Sequence, residues 1–140
     1  MEPIRVGLNV AEFEPPDVLV LRYKGEMEPD AVIELHARAR DVCGSWPRAF
    51  NLVDLRDSSI PARTRKVIPE SLKGIPLRGA AFITPSFFLR TLGKMIGVMT
   101  NATNKVDNPL SFHADEESAR AWIARRREEL DAEVERAAQR

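Results

Sequence analysis

One cysteine, Cys43, and two histidines, His36 and His113, are all that 140 residues hold of those types. A lone cysteine excludes an internal disulfide and any metal site built on a cysteine pair, and it fits a reducing compartment. Its thiol is expected to be buried, as free cysteines commonly are. Neither histidine has the spaced His, Cys or carboxylate neighbours that zinc requires, so no metal is expected. Charge of one sign is equally absent in excess: 21 Lys and Arg balance 21 Asp and Glu. That balance leaves no field to gather a polyanion, and nucleic acid is not an expected partner. Long hydrophobic runs are missing too. The greasiest stretch, Phe87 to Met99, is broken by Arg90 and Lys94 and falls short of the roughly 20 residues a bilayer demands, so membrane insertion is not expected. Met1-Glu2-Pro3-Ile4-Arg5 lacks the basic stretch and apolar run of a secretory signal, so a cytoplasmic protein is expected and Asn101-Ala102-Thr103 reads as a chance glycosylation match. No Gly-x-Ser-x-Gly elbow, phosphate-binding glycine loop or dinucleotide fingerprint occurs; no cofactor and no catalytic set is expected.

What is present reads as one α/β domain over residues 1–140. Ile4 to Val10 alternates as a half-buried strand does, Glu14-Pro15-Pro16-Asp17 punctuates the chain, and Val18 to Tyr23 follows as its antiparallel neighbour. After Gly25, Glu28-Pro29-Asp30 opens a helix with Val32, Leu35, Ala39 and Val42 as its buried stripe. Ala49 to Leu55 is apolar enough to be a central strand covered on both faces. Ser58-Ser59-Ile60-Pro61 predicts a second helix from about Pro61, broken or kinked at Pro69. Gly79 to Ile83 reads as a buried strand, and Thr84-Pro85-Ser86 starts a third helix running to about Thr100. Leu110 to His113 is a short last strand. Asp115-Glu116-Glu117 caps a final helix built on Ala119, Trp122, Ile123, Arg126 and Leu130, exposed from Glu128, with 131–140 as a helical tail. The order β-β-α-β-α-β-α-β-α predicts a mixed, mostly parallel five-stranded sheet with right-handed crossovers.

This order, with Asn51-Leu52-Val53-Asp54-Leu55-Arg56-Asp57 leading into a proline-started helix, resembles small bacterial STAS-like proteins, relatives of the sporulation anti-sigma-factor antagonists. The ending Leu110 to Ile123 looks like the last strand and helix of the same group. The resemblance spans roughly Asp17 to Leu130 and implies strands laid down in chain order, as in the related CRAL-TRIO lipid-binding fold. It also implies a regulatory, protein-interaction role. In partner-switching members a serine in an Asp-Ser-Ser-Gly-like turn is phosphorylated; Asp57-Ser58-Ser59 occupies a comparable place, with Ile60-Pro61 where that glycine stands.

In an open parallel sheet the strand carboxyl ends and the following helix amino ends share one edge, which favours anions. Asp54, Arg56, Asp57, Ser58 and Ser59 are therefore expected near Thr84, Ser86 and His113. For Ser58, Ser59, Thr84 and Ser86 the plain reading is helix capping; for Ser58 and Ser59 the sharper one is phosphorylation or anion binding. A hydrolase would have to assemble Ser58 or Ser86 with His113 by tertiary contact. The third helix is apolar on more than one face, so its outer residues, Phe87, Phe88, Leu92, Met95 and Met99, either meet the last helix or form a partner or ligand surface. Gly93 and Gly97 allow a close approach there. The tail offers ion pairs such as Arg125 with Glu129, or a thin seam of Leu130 and Val134 for a second copy. These features favour a non-enzymatic regulatory or interaction domain whose polar strand-end edge around Asp54 to Ser59 and neighbouring third helix meet a protein partner. The alternatives are a carrier of a small apolar ligand, in a pocket lined by Phe87, Phe88, Met95 and Met99, and a homodimeric scaffold.

Overall fold

The computed structural model describes residues 1–140 as a six-stranded sheet in chain order, with helices on both faces. The strands are β1 (Ile4–Val6), β2 (Asn9–Glu14), β3 (Val18–Glu26), β4 (Ala49–Ser59), β5 (Leu77–Ile83) and β6 (Leu110–His113). The helices are α1 (Pro29–Cys43), α2 (Ala62–Arg65), α3 (Ile68–Ser71), α4 (Phe87–Asn104) and α5 (Glu116–Ala138). β1, β2 and β3 pair antiparallel, and β3 through β6 pair parallel.

The sixth strand comes from splitting the first predicted one. Gly7, at φ +61°, and Leu8 turn the chain back so that Val6 pairs with Asn9. Glycine adopts that conformation without steric cost. The alternation of Ile4 to Val10 runs straight through this turn, which is why it reads as one strand. The second predicted helix is instead two short ones, α2 and α3, with Pro69 inside α3.

Successive residues of a strand face opposite ways, and the sheet accordingly carries two cores. Leu19, Leu21, Val53, Leu55, Ala80 and Phe82 point to the crossover face, covered by α1, α3 and α4. Val18, Val20, Phe50, Leu52, Ala81 and Ile83 point to the face covered by α5. All three parallel connections lie on the crossover face and share one hand. α4 packs against α3 and β6, whereas α5 packs on β4, β5 and β6 from behind. The expected meeting of the third and last helices is therefore replaced by burial on opposite faces.

α1 buries Val32, Leu35, His36, Ala39 and Cys43. Cys43 is fully buried, and burial pushes its thiol up to about 11. α5 buries Ala119, Ile123, Arg126 and Leu130, one narrow stripe. Gly79 makes room for it: a Cβ there would lie 3.1 Å from Arg126 Cγ and 3.3 Å from the Trp122 ring. Arg126 donates from Nε to the Arg78 carbonyl at 2.8 Å and pairs with Glu129 at 3.4 Å. Leu130 is buried in the protein's own core, so it is not free to form a seam with another copy, and burial runs two residues past Glu128. Beyond it, Asp131 pairs with Arg48 at 2.8 Å and Val134 is exposed. Truncation after Ala132 should change the unfolding free energy by less than about 0.5 kcal/mol, since nothing removed is buried; urea denaturation of the shortened chain checks this.

Candidate functional site

The ends of β3 and β4 extend past β5, whose pairing to β4 finishes at Asp54 and Ile83. A register shift after Arg22 lets Lys24, Gly25 and Glu26 pair with Asp57, Ser58 and Ser59, while the Asn9 side chain accepts from the Lys24 N–H at 3.1 Å. Because β3 offers this partner, β4 runs through Ser59. Neither serine starts a helix: α2 begins after Pro61 with no side-chain cap. Ser58 Oγ donates to the Leu55 carbonyl at 3.0 Å, and Ser59 is exposed. The expected seat for an anion at a helix start after Ser59 is absent, because these residues are strand.

Thr84 is buried, with its hydroxyl donating to the Ser86 carbonyl, and Ser86 Oγ accepts from the Leu89 N–H at 3.3 Å as the cap of α4. His113 lies on the α5 face between two hydroxyls, Ser111 Oγ at Nε2 and Ser118 Oγ at Nδ1, each 2.7 Å away. Burial, then the Arg125 charge, holds its pKa below the usual histidine value. Asp54 shares that face, separated from His113 by Ile83 of β5. The predicted edge cluster is thus one edge with separate hydrogen-bonded sets.

The most connected set is ionic. Arg22 donates to Glu12 at 2.7 Å, to Glu116 at 2.8 Å and to Asp54 at 3.1 Å. Arg56 grips both oxygens of Asp54 at 3.0 and 2.8 Å, and Arg120 joins Glu116 to Glu14. Burial alone would raise Asp54, but the hydrogen bonds from Arg56 and Arg22 outweigh it and hold the carboxylate ionised. Hydrogen bonding to Arg22, and secondarily to Arg120, brings Glu116 down to about 2 against a burial penalty. Every cation here has a carboxylate, so the set is an internal lattice with little left to offer a ligand. Asp57 is exposed beyond it.

α4 presents two different faces. Leu92, Gly93, Ile96, Gly97 and Thr100 are buried, so Leu92, only 5% exposed, belongs to the core and not to the outer surface. Gly97 lets Leu110 approach so closely that a Cβ would lie 2.5 Å from Leu110 Cδ1. Outward, Phe87 is 83% exposed, Phe88 69%, Met95 52%, Val98 56% and Met99 53%. None of Phe87, Phe88, Met95 and Met99 lines a pocket; the apolar space in this region is a different one, on the other side of the helix. It is a cavity of about 50 Å³ between α4, α3 and the sheet, lined by Tyr23, Asn51, Leu55, Phe82, Ile96 and Thr100 among others.

Beside that cavity runs a buried polar relay that sequence reading missed. The Tyr23 hydroxyl lies 2.5 Å from His36 Nε2, His36 Nδ1 lies 2.7 Å from Ser71 Oγ, and Ser71 Oγ donates to the Ile68 carbonyl at 2.9 Å. The last bond sets the direction of the others: His36 donates from Nδ1 to Ser71 and accepts from Tyr23 at Nε2. The serine proton points at a carbonyl and away from the imidazole, which is not the arrangement of an activated nucleophile. Burial, with the Arg40 charge adding, pushes His36 down to about 3, so the ring is neutral. The signal was available: His36 lies four residues after Val32 and three before Ala39, squarely in the helix stripe.

No family model matches the chain, and no curated protein matches it in sequence. Among solved structures it is similar to an uncharacterised protein of the DUF3478 family from Shewanella loihica PV-4, described as having a SpoIIAA-like fold. The identity is 13%, with 81% of this chain and 90% of that chain covered at a TM-score of 0.56. The fold is therefore SpoIIAA-like, the STAS-like architecture.

Proposed function

We propose that this SpoIIAA-like domain is a non-enzymatic regulatory module that docks a protein partner along the outward face of α4. The observation that carries the reading is the row of Phe87, Phe88, Met95, Val98 and Met99 left open on a helix whose other face is buried against the rest of the domain. Contiguous exposed apolar surface marks interaction sites, and methionine adapts to a partner's shape. α4 carries Arg90 and Lys94 and no acidic residue, and Lys105 follows at its end. The partner should thus present an apolar seam rimmed by carboxylates. A phosphate on Ser59, the more open of the two serines, would add negative charge at the same end of the sheet from which α4 starts, and is the proposed switch.

Met95→Glu should leave the melting temperature within about 2 °C of the wild type, since the side chain is at the surface. It should weaken the partner complex at least tenfold, and Lys94→Glu should weaken it in a salt-dependent way. A photo-crosslinker at position 95, used in the native host, identifies the partner on which both affinities are then measured by calorimetry. Unchanged affinity in Met95→Glu would remove α4 from the interface. A second reading, a carrier of a small apolar ligand, is supported by the cavity behind α4, which has the apolar lining of a small-molecule site.

A further inference from the structure

The stripe that seats α5 on the sheet does not end where the sheet does. Ala119, Ile123, Arg126 and Leu130 are buried, and the same spacing continues through Val134 and then Ala137 and Ala138, on a last stretch of helix with nothing beneath it. Around Val134 stand Asp131, Glu133 and Glu135, with Arg136 the one cation between Asp131 and Ala138. Asp131 is tied to Arg48 of its own chain, whereas Glu133 and Glu135 are exposed. The tail is therefore apolar along one line and acidic beside it. The outward face of α4 has the opposite character. Arg90 and Lys94 are exposed one turn apart, Arg90 a turn from Phe87 and Lys94 a turn from Val98, and α4 carries no carboxylate. Between Pro61 and Leu110 the only acidic residues are Glu70 and Asp107, so the α4 side of this neutral chain is basic.

Resting on the proposed docking along α4, we infer that the partner is a second copy of this chain, whose helical tail beyond Leu130 lies along the outward row of α4. Val134, Ala137 and Ala138 meet Phe88, Met95 and Met99, while Glu133 and Glu135 face Arg90 and Lys94. The tail of the same chain does not serve, because α5 covers the opposite face of the sheet. Nor do two α4 faces pair, since that sets Arg90 and Lys94 of one copy against the same cations of the other. A contact between unlike patches is heterologous, and each copy offers both halves of it. The strip is narrow and its apolar side chains are small, so the contact is weak, with a dissociation constant on the order of 100 µM.

Sedimentation velocity of the full chain from about 10 µM to about 1 mM should show association that rises with concentration and recedes in high salt. The chain truncated after Ala132 loses the strip without losing buried residues, and should associate at least tenfold more weakly, as should Met95→Glu. Mixed together, these two variants should associate again, because one keeps the α4 row and the other keeps the tail. A wild type that is monomeric at about 1 mM would overturn the inference and leave docking of a different protein on α4 standing. Association that survives the truncation, or a mixture that does not associate, would overturn it as well. Association that survives Met95→Glu would count against both readings. A monomeric wild type that floats with phosphatidylglycerol vesicles, and ceases to do so as Met95→Glu, would assign the α4 face to lipid and overturn both.

Discussion

Replacing His36 by leucine is expected to lower the unfolding free energy by about 2 kcal/mol at neutral pH and to flatten its dependence on acid. The cost arises because the Tyr23 hydroxyl, fully buried, loses its acceptor, and an orphaned buried polar group costs about 1–3 kcal/mol. Ser71 keeps its bond to the Ile68 carbonyl and contributes little to the loss. The acid response follows from linkage. The unfolded chain binds a proton at His36 near 6.5, while the folded ring resists protonation down to about 3. The unfolded state thus holds more protons between those values, and the wild type loses about 1.4 kcal/mol for each pH unit of acidification in that window. Leucine has no such term, so the stability curves of the two proteins should cross near about pH 5, where the linkage loss matches the cost at neutrality. Urea denaturation at a series of pH values measures both curves, and the difference between them cancels groups that titrate alike in each. Parallel curves would mean that His36 is not held neutral by its surroundings. Adding Tyr23→Phe to the leucine variant should recover most of the loss, because the unpaired hydroxyl goes with it.

Arg22→Leu should cost about 2 kcal/mol at neutral pH, between the values typical of surface and buried ion pairs. The guanidinium holds Glu12, Asp54 and Glu116 together, and its removal leaves three carboxylates facing one another. The pH trend has the same sign as that of His36 but lies in a more acid window. Glu116 is depressed from 4.5 to about 2 in the folded protein, so its contribution is present above 4.5 and is lost as pH falls toward 2. The gap between wild type and variant should therefore close on acidification through that window, and it should narrow in high salt because the set is partly exposed. A gap that persists in acid would assign the cost to packing of the arginine stem.

The fold was legible where burial imposes a period. The stripe of α5 from Ala119 to Leu130 and the doubly covered β4 follow from apolar spacing, since a helix or strand buried on one tertiary surface has little other choice. What escaped were features decided by partners distant in the chain. β4 runs on through Ser59 because β3 extends to Glu26, and no local signal in Ser58-Ser59-Ile60-Pro61 reports the length of a strand thirty-odd residues earlier. The hairpin at Gly7 was hidden inside an unbroken alternation. At the site, the outward apolar residues of α4 were legible as a greasy excess, yet which of them faced the sheet was decided by the crossover face, and Leu92 fell on the buried side. Asn51 read as one residue of the apolar strand Ala49 to Leu55 and as the first of the segment that carries the resemblance. Its place on the cavity wall is set once α4 closes over it.

The two strands at the margins of the sheet, β1 and β6, span only three and four residues. A free backbone margin is a template for further strands, and its reach scales with its length. Margins this short give an incoming peptide few amides to grip, which disfavours strand addition and sheet-to-sheet polymerisation.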